Sequence, residues 1–413
     1  MRVGILHYTA PPIIGGVEST VRFQATFLQD AGHTVTTLAG AGDSFDPRIG
    51  VEIVPAMNSR HPEVLAVKSE LDRGRLSPAF ERVTADLETE LIPRLAALDV
   101  LIVHNALSLH KNLPLTAALW RLSADSAGPR WIAWHHDLAW DRPDYAAELH
   151  DGEPWDLLRR PLPVAKHVAV SESLRQRVIR VFDLPPDAVT VIPPGVDEAS
   201  FHRWGRATRR IVEQLRLADA DLLLLLPSRL TRRKNIALAL RVIAELRRIQ
   251  PGEVRLLITG PPGPHNPANI AYFEELRSMV RELDLHDTVH FLYLLDPDSP
   301  GGLDDATVSD LYRICDAVLF PSLDEGFGIP VLEAGLARIP VFCSDIPPFR
   351  ESGGEWVTRF PLDIPPEAIA QGILGQMDRD RAYQLRRRVR RGFSWTALLT
   401  QRLLPLLEEG LDA

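Results

Sequence analysis

The chain has 413 residues, of which 45% are hydrophobic and 24% charged, and its formal net charge is −9. This composition is typical of a folded globular protein, and the length suffices for two or three domains that each bury a core. The negative charge argues against nucleic acid as a main partner, because binding to a phosphate backbone needs a basic surface. No stretch approaches the ~20 apolar residues of a membrane-spanning helix.

The cysteine content and the first residues of the sequence indicate the cellular compartment of the protein. The only two cysteines, Cys315 and Cys343, lie in apolar runs. They are typical of buried thiols in a reducing compartment, not of a disulfide framework or a metal site. The opening MRVGILHYTAPP lacks the hydrophobic stretch of a signal peptide. We therefore predict a cytoplasmic protein.

Short apolar runs alternate with helical segments in the first half of the chain. The first helix is predicted from about Val17 to Ala31, because Gly32 is a helix-ending residue. Continuous apolar strands that alternate with helices indicate a parallel sheet covered on both faces. The predicted strands are 2–8, 33–40, 51–55, 99–105, 130–136, 167–171 and 189–195.

The same pattern restarts in the second half, after a segment rich in Pro and Gly at 193–205 that is plausible as a hinge. The sequence thus predicts an α/β fold with two Rossmann-like domains of similar size. In open parallel sheets, ligands bind at the carboxyl ends of the strands, so functional residues should follow strands. The predicted strands of the second half are 221–229, 253–260, 288–295, 316–322, 339–345 and 354–360.

The segment SRLTRRKNIALAL (228–240) places basic residues directly after a predicted buried strand. Arg229 follows the strand, and Lys234 stands five residues later at the start of a helix. Basic side chains beside the free N–H groups of a helix N-terminus form a natural anion site, and we predict a diphosphate as its ligand. Arg232 and Arg233 are interpreted as surface charges of a solvated loop.

Two carboxylates bracket a glycine-rich turn in DEGFGIPVLEAG (324–335). Glu325 is expected in a loop and Glu333 about one turn into a helix. Capping charges favoured by the helix dipole would explain one of them. A polyol ligand explains more, because a carboxylate accepts two hydroxyl groups at once. One glutamate would then hold a transferred sugar and the other a ribose.

The glycines between these carboxylates support the polyol interpretation. Gly326 and Gly328 remove side chains, so that backbone N–H groups can approach a ligand closely. The helix is predicted to begin near Ile329 or Pro330, because proline suits the first turn of a helix.

Three segments of the first half also follow predicted strands. Gly15 and Gly16 precede a helix, which is an anion-friendly geometry, but no dinucleotide fingerprint is present and the pair could be a simple turn. WIAWHHDLAW (131–140) combines three tryptophans, two histidines and an aspartate. Tryptophan faces suit sugar rings and an imidazole suits a hydroxyl, whereas a metal would need more ligands than this segment offers. Further candidates in the neighbouring loop are His104, Asn105, His110 and Lys111.

Four short motifs of the sequence resemble those of a known family. The motifs SRLTRRKN, EGFGIPVLEA, VIPPGVD and GGVE resemble those of retaining glycosyltransferases with the GT-B fold, specifically glycosyltransferase family 4. The resemblance spans nearly the whole chain, and its most specific part is the Glu-x7-Glu element with Gly-Phe-Gly inside it. It implies two Rossmann-like domains facing across a cleft, with a C-terminal helix that crosses back to the first domain. The implied boundaries are 1–195 for acceptor binding, 196–390 for donor binding and 391–413 for the last helix.

The resemblance also implies roles for individual residues. The catalytic set comprises His136, Arg229, Lys234 and Glu325, with His135 as the competing histidine because the pair leaves the alignment ambiguous. Arg229 and Lys234 look like the basic pair on the diphosphate, and Glu333 looks like the ribose ligand. The full donor-binding set is Gly15, Gly16, His135, Arg229, Lys234, Gly260, Glu325, Gly326, Phe327, Gly328, Ile329 and Glu333. The weaker acceptor-binding set is Asn105, Trp134, Asp137 and Trp140.

The implied activity is transfer of a hexose, glucose or mannose, from a nucleotide-diphosphate sugar with a UDP or GDP carrier. The implied acceptor is a small molecule, a glycan or a lipid-linked compound. In a retaining front-face reaction the leaving phosphate oxygen takes the acceptor proton, so neither a nucleophile nor a metal cofactor is required. Two alternatives are a nucleotide-sugar epimerase or hydrolase on the same scaffold and a non-catalytic binder of sugar nucleotides. The sequence does not indicate the oligomeric state.

An arginine-rich helix is predicted in RDRAYQLRRRVRRGFSW (379–395). Basic surfaces dock some members of this family on membranes, but most such runs are the solvated face of a helix. Because the chain is acidic overall, we interpret the run as a solvated face and do not favour membrane contact.

Overall fold

The computed structural model describes residues 1–124, 128–250, 252–264, 266–295 and 302–409. They form two compact units. Unit 1 combines Met1–Gly195 with the segment that begins at Phe393, and unit 2 comprises Val196–Gly392. Within the described ranges, no helix is long and apolar enough to cross a membrane.

Unit 1 is built on a parallel sheet whose seven described strands run in the order β3-β2-β1-β4-β5-β6-β7. The central strands are buried because both of their faces are covered by helices, which explains their unbroken apolar sequences. The strands are β1 (Arg2–His7), β2 (Thr34–Ala39), β3 (Gly50–Ile53), β4 (Val100–His104), β5 (Arg130–His135), β6 (Ala165–Ala169) and β7 (Val189–Val191). The helices are α1 (Gly16–Asp30), α2 (Pro62–Leu71), α3 (Pro78–Leu95), α4 (Leu113–Leu122) and α5 (Glu172–Phe182).

Unit 2 repeats this plan with a parallel sheet whose six described strands run in the order β10-β9-β8-β11-β12-β13. The strands are β8 (Leu222–Leu226), β9 (Val254–Ile258), β10 (Val289–Phe291), β11 (Ala317–Phe320), β12 (Val341–Ser344) and β13 (Thr358–Phe360). The helices are α6 (Glu198–His202), α7 (Arg206–Gln214), α8 (Ile236–Ile249), α9 (Ala268–Glu282), α10 (Asp305–Ile314), α11 (Ile329–Ala337), α12 (Pro347–Gly353), α13 (Pro366–Met377) and α14 (Arg381–Phe393).

The C-terminal segment returns to unit 1, as the resemblance implied. It consists of α15 (Trp395–Leu398), a π-helical stretch (Leu399–Leu403) and α16 (Leu404–Glu408). Trp395 stacks on Phe23 with 5.3 Å between ring centroids. Leu399 and Leu403 are fully buried in the same core as strands β1 and β4. The predicted α/β class, with two Rossmann-like units and a C-terminal helical segment on the first, is confirmed.

The strand order places a topological switch point in each unit. The order 3-2-1-4-5-6 reverses direction between β1 and β4 in unit 1, and between β8 and β11 in unit 2. In open α/β sheets, ligands bind beyond the carboxyl ends of the strands at this point. The residues that follow these four strands are therefore the first place to look for function.

Three predicted strands are less than half as long as the sequence suggested. The run predicted at 189–195 is a strand only over Val189–Val191. The run predicted at 288–295 is a strand only over Val289–Phe291, since Leu292–Leu295 forms a 3-10 helix. The run predicted at 354–360 is a strand only over Thr358–Phe360. Apolar runs alone do not separate a strand from a short buried turn.

The arginine-rich helix α14 corrects the interpretation as a solvated face. Arg390 is only 8% exposed, and it binds Asp316 at 3.0 Å and Glu198 at 3.1 Å. Arg387 and Arg391 both pair with the buried Asp221. A buried carboxylate is costly without a charged partner, so these arginines stabilise the fold of unit 2. Arg391 is itself 54% exposed, so the helix combines buried and solvated arginines.

Candidate functional site

The switch point of unit 2 brings together the two motifs that the sequence singled out. Because β8 and β11 are neighbours, the loop after Leu226 meets the loop after Phe320. The backbone N–H of Leu323 donates to the carbonyl of Arg233 at 2.8 Å. Across this junction, Lys234 Nζ lies 2.6 Å from Glu325 Oε1. The predicted basic residue and the predicted sugar-binding carboxylate are thus an ion pair.

Glu325 is held from several sides. Its side chain is only 7% exposed, and it accepts a hydrogen bond of 2.7 Å from Ser322 Oγ. Arg233 Nη1 lies 3.3 Å from Oε2 and donates to the carbonyl of Asp324 at 3.1 Å. Arg233 is exposed, as interpreted from the sequence, and it also contacts this carboxylate. These contacts fix the carboxylate in one orientation, as recognition of sugar hydroxyls requires.

Arg232 differs from its neighbour Arg233. It forms an exposed ion pair of 2.5 Å with Glu275, and its guanidinium lies 4.9 Å from the ring centroid of Tyr272. This agrees with its interpretation as a surface charge, because exposed pairs contribute little to stability.

Arg229 follows β8 at the same edge of the sheet. It is exposed, and its guanidinium has no hydrogen bond or ion pair in the part of the chain that the structure describes. Gly260 allows the following loop to approach it, since a Cβ there would lie 2.5 Å from the carbonyl oxygen of Ser228 and 2.6 Å from Arg229 Cα. An exposed arginine and a lysine paired with a carboxylate, both at a switch point, suit an anionic ligand.

The two glycines of the Gly-Phe-Gly turn have different structural roles. Gly328 is the N-cap of α11 with φ +95°, and a Cβ there would lie 2.8 Å from the ring of Phe349. Gly326 faces open space, with no atom near a Cβ. The side chains of Phe327 and Ile329 are exposed. Gly328 is needed for the turn, whereas Gly326 leaves the backbone accessible.

Glu333 lies in α11, whose start at Ile329 agrees with the prediction. Its Oε2 accepts a hydrogen bond of 2.6 Å from the hydroxyl of Tyr312, a buried residue that the sequence analysis missed. Burial, and then Glu333 itself, raise the pKa of Tyr312, so the phenol stays a donor. The rest of the carboxylate is accessible to a ligand.

In unit 1 the glycine turn before α1 is already occupied by a carboxylate. A Cβ at Gly15 would lie 2.0 Å from Glu18 Oε2, while Gly16 faces open space. Glu18 Oε1 accepts a hydrogen bond of 2.5 Å from Thr9 Oγ1 and lies 3.9 Å from His7 Nδ1. The acidic Glu18 therefore fills part of the predicted anion-friendly turn.

The carboxyl ends of β4 and β5 carry a histidine pair. His104 Nδ1 lies 2.9 Å from His136 Nε2, and His104 Nε2 lies 2.9 Å from Gln24 Oε1. Asn105, with φ 58°, accepts a hydrogen bond of 2.9 Å from the backbone N–H of His136. Asn105 thus positions the backbone of His136, and it is itself buried.

Both histidines of this pair are neutral near pH 7. Burial lowers the pKa of His136 to about 3, with a smaller contribution from the charge of His7. Burial lowers the pKa of His104 well below its usual range, and His136 adds to this effect. Neutral imidazoles each keep one donor and one acceptor nitrogen, which suits hydroxyl groups.

Two of the predicted ligand contacts are contradicted by burial. His135 is 1% exposed, and its ring stacks on His167 with 5.3 Å between centroids. Trp134 is also 1% exposed and packs in the core. Neither side chain is available to a ligand, because both lie within the sheet and its covering helices. Of the two histidines that compete for the role of ligand contact, His136 is therefore the one that we keep.

The other two predicted acceptor contacts, Asp137 and Trp140, are partly exposed but already engaged. Asp137 Oδ2 lies 2.9 Å from Arg142 Nη1. Trp140 Nε1 donates to the carbonyl of Trp155 at 3.1 Å, and the guanidinium of Arg159 lies 4.2 Å from the Trp140 ring. Their role as acceptor contacts stays a prediction.

The neighbouring candidates His110 and Lys111 are engaged as well. His110 Nε2 lies 2.7 Å from Glu148 Oε2, and Lys111 Nζ lies 4.5 Å from the ring centroid of Tyr145. Within the described ranges, no three His, Cys, Asp or Glu side chains group together as metal ligands would.

Two families of known proteins together match most of the chain. The family described as Glycosyltransferase Family 4 matches residues 14–200, and the family described as Glycosyl transferases group 1 matches residues 208–391.

Relatives with established names are glycosyltransferases. Mannosylglucosylglycerate synthase of Petrotoga mobilis is 24% identical over 376 residues, which is 85% of this chain and 84% of that protein. The MMP alpha-(1->4)-mannosyltransferase of Mycolicibacterium hassiacum is 26% identical over 378 residues, 83% of this chain and 81% of that protein. A D-inositol 3-phosphate glycosyltransferase of Kineococcus radiotolerans is 34% identical over 185 residues, 43% of this chain and 39% of that protein.

The strand-end Lys234–Glu325 pair, the Gly-Phe-Gly turn at the start of α11 and the two matching families converge on one conclusion. The chain belongs to the glycosyltransferases of family 4 and group 1, and it is a hexosyltransferase of the type that uses nucleotide sugars.

Proposed function

We propose that this enzyme transfers glucose or mannose, with retention of configuration, from a UDP- or GDP-sugar to a small-molecule, glycan or lipid-linked acceptor. The observation that carries the proposal is the arrangement at the switch point of unit 2. There the Lys234–Glu325 ion pair of 2.6 Å stands in the same strand-end loops as the exposed Arg229. An anionic diphosphate and a sugar rich in hydroxyls are the ligands that such a combination recognises.

The donor is assigned to unit 2. Arg229 and Lys234 bind the diphosphate, and Glu325 accepts hydroxyls of the transferred sugar. The backbone N–H groups of Gly326, Phe327, Gly328 and Ile329 stand where α11 begins, so they add donors of the helix N-terminus. Glu333 binds the ribose through the part of its carboxylate that Tyr312 leaves free. Gly260 shapes the loop beside the nucleotide. A contribution of Gly15 and Gly16 to donor binding stays a prediction.

The chemistry needs no protein nucleophile. The bond between C1 of the sugar and the diphosphate oxygen breaks, and a bond forms between C1 and the acceptor oxygen on the same face. The acceptor proton moves to the departing phosphate oxygen. Arg229 and Lys234 stabilise the negative charge that develops there, which is the task a divalent cation performs in other enzymes. We therefore propose that no metal cofactor is required.

The acceptor is assigned to unit 1. His136 is the sugar-contacting residue that we retain, with Asn105 holding its backbone. The partly exposed Asp137 and Trp140 are the remaining acceptor candidates. The names of the relatives include glycerate and inositol phosphate compounds, and this supports a small-molecule acceptor as the first class to try. A cytoplasmic location stays a prediction.

A product assay tests the proposal. The enzyme is incubated with UDP-glucose, GDP-mannose and a panel of acceptors that includes glycerate, D-inositol 3-phosphate and a lipid-linked sugar. We expect a glycoside whose anomeric configuration by NMR equals that of the donor, formed equally well in EDTA. A glycoside of inverted configuration would contradict retention, and activity that EDTA abolishes and Mg²⁺ restores would contradict metal independence. Free sugar or an epimerised donor without glycoside would indicate a hydrolase or an epimerase.

A further inference from the structure

Two buried side chains of unit 1, Gln24 and His104, form a continuous series of hydrogen bonds that ends on the half-buried His136. Gln24 projects from α1 toward the end of β4, and its Oε1 lies 2.9 Å from His104 Nε2. The other ring nitrogen of His104 lies 2.9 Å from His136 Nε2. Gln24 and His104 are both fully buried. Because His104 uses both ring nitrogens, its proton arrangement determines that of His136.

The direction of these hydrogen bonds follows from which groups can donate. An amide oxygen only accepts, so His104 carries its proton on Nε2, the nitrogen that faces Gln24. A neutral His104 then accepts a hydrogen bond at Nδ1. The proton between the two rings must therefore belong to Nε2 of His136. Burial keeps both rings neutral by lowering the pKa of each.

We propose that Gln24 and His104 are positioning residues that fix His136 as its Nε2–H tautomer and leave its Nδ1 as a hydrogen-bond acceptor for a substrate hydroxyl. The identity of that hydroxyl as part of a sugar rests on the proposed function. The tautomer itself does not. In the described ranges, His136 Nδ1 has no hydrogen-bond partner, and His136 is only half-buried.

This arrangement determines what His136 recognises. An acceptor nitrogen binds a hydroxyl but repels a phosphate oxygen, which also only accepts. His136 therefore selects a sugar or acceptor hydroxyl and leaves the diphosphate to the basic residues of unit 2. The bond from the backbone N–H of His136 to Asn105 Oδ1 at 2.9 Å holds the main chain while His104 holds the ring.

The direct test is nitrogen NMR of the ligand-free full-length protein labelled with ¹⁵N only in histidine. His136→Gln identifies the resonances of His136 by their loss. At pH 7.5 we expect a protonated Nε2 and an unprotonated Nδ1 for His136, in one tautomer. A protonated Nδ1, or an even mixture of the two tautomers, would overturn the proposal. Because no substrate is present, this result is independent of whether the proposed transfer reaction is right.

A matched pair of variants tests the role of Gln24. Gln24→Met removes the acceptor with little change in volume, and Gln29→Met makes the same change elsewhere on α1. We expect a mixture of His136 tautomers in Gln24→Met and the single tautomer in Gln29→Met. With UDP-glucose or GDP-mannose, whichever is turned over, we expect kcat to fall about fivefold in Gln24→Met alone, as for one lost hydrogen bond. An unchanged single tautomer in a folded Gln24→Met would refute the role of Gln24. If this variant does not fold, the wild-type spectrum still decides the tautomer.

Discussion

Unit 1 and unit 2 share one strand order but differ in the side chains at their switch points. In unit 1 a pair of neutral, hydrogen-bonded histidines, His104 and His136, stands where β4 and β5 end. In unit 2 the strand ends carry charges, with Lys234 paired to Glu325 and Arg229 exposed beside them. The same scaffold thus presents neutral groups suited to hydroxyls in one unit and charged groups suited to a diphosphate sugar in the other. Function follows from the residues at the strand ends, not from the fold they share.

The units also differ in how they stabilise buried polar groups. Unit 1 buries histidines as neutral rings that bond to each other, as in the His135–His167 pair at 3.0 Å. Unit 2 buries charges in pairs, as between Arg390 and Asp316. Buried neutral histidines and buried ion pairs respond differently to pH and to mutation. The difference between the two units can therefore be tested.

The largest expected effect is acid destabilisation of unit 1. Burial lowers the pKa of His136 to about 3 and that of His167 to about 4, whereas an unfolded histidine titrates near ~6.5. As the pH falls, the unfolded state therefore binds protons before the folded state does. The full contribution of these histidines to the free energy of unfolding is present above about pH 6.5 and is lost as the pH drops toward 4. For each histidine the loss is roughly 1.4 kcal/mol per unit of difference between its folded and unfolded pKa. Hydrogen exchange, corrected for intrinsic rates, should show unit 1 opening at a higher pH than unit 2.

A control variant sharpens this prediction. His135→Phe removes one titrating ring from the buried pair, so it should reduce the slope of stability against pH even if it lowers stability at pH 7.5. Equal acid sensitivity of the two units, with the wild-type slope retained in His135→Phe, would show that the buried histidines are not its cause.

The next effect concerns the buried charge pair of unit 2. Arg390→Met leaves Asp316 buried without its main partner, which costs ~3–5 kcal/mol for pairs of this kind. Arg381→Met, at the exposed start of the same helix, should cost almost nothing. Urea unfolding measures both. If Arg390→Met lowered the free energy of unfolding no more than Arg381→Met does, α14 would be a solvated helix.

Loss of the strand-end cations should reduce turnover. Arg229→Ala and Lys234→Ala each remove a fixed positive charge from the leaving diphosphate, and comparable groups contribute ~10²–10³ in rate. Arg241→Ala, exposed on α8, is the matched control and should retain activity. Steady-state rates with a saturating donor measure these contributions. Full activity of Arg229→Ala would contradict a role of Arg229 in the site.

The smallest effect separates the two glycines of the turn. Gly328→Ala forces an alanine to φ +95° and against Phe349 at 2.8 Å, which should destabilise the protein by ~1–3 kcal/mol. Gly326→Ala meets no atom, so stability should be unchanged while donor affinity falls. Thermal unfolding with and without donor distinguishes the two. A Gly326→Ala protein that binds the donor normally would argue against backbone recognition at this position.

Sequence reasoning succeeded where periodicity and position carry the information. The apolar runs predicted both sheets, and the charges after β8 and β11 were found because ligands bind where strands end. It failed where side-chain direction decides, because the side chains of a strand alternate between its faces. The pair His135–His136 straddles the end of β5, so one ring is buried and the other half-exposed.

Two missed features had weak signals in the sequence. Gln24 lies on the buried face of α1 with Val21, Ala25 and Leu28, and a polar residue on such an apolar stripe indicates a buried partner. The partners of the α14 arginines are buried aspartates on distant segments, such as Asp221. Nothing local distinguishes such arginines from a solvated run.

The central claim is that the strand-end charges of unit 2 form a nucleotide-sugar site, and thermal stabilisation tests it most directly. Unfolding temperatures are measured with UDP-glucose, GDP-mannose and ADP-glucose for the wild type, Glu325→Ala and the exposed control Glu355→Ala. A ligand that binds only the native state stabilises it by RT ln(1 + [L]/Kd), about 2.7 kcal/mol at a hundredfold excess over Kd. We predict stabilisation by a UDP- or GDP-sugar in the wild type and in Glu355→Ala, and a much smaller shift in Glu325→Ala. No shift with any of the three, or an undiminished shift in Glu325→Ala, would contradict the assignment of this site.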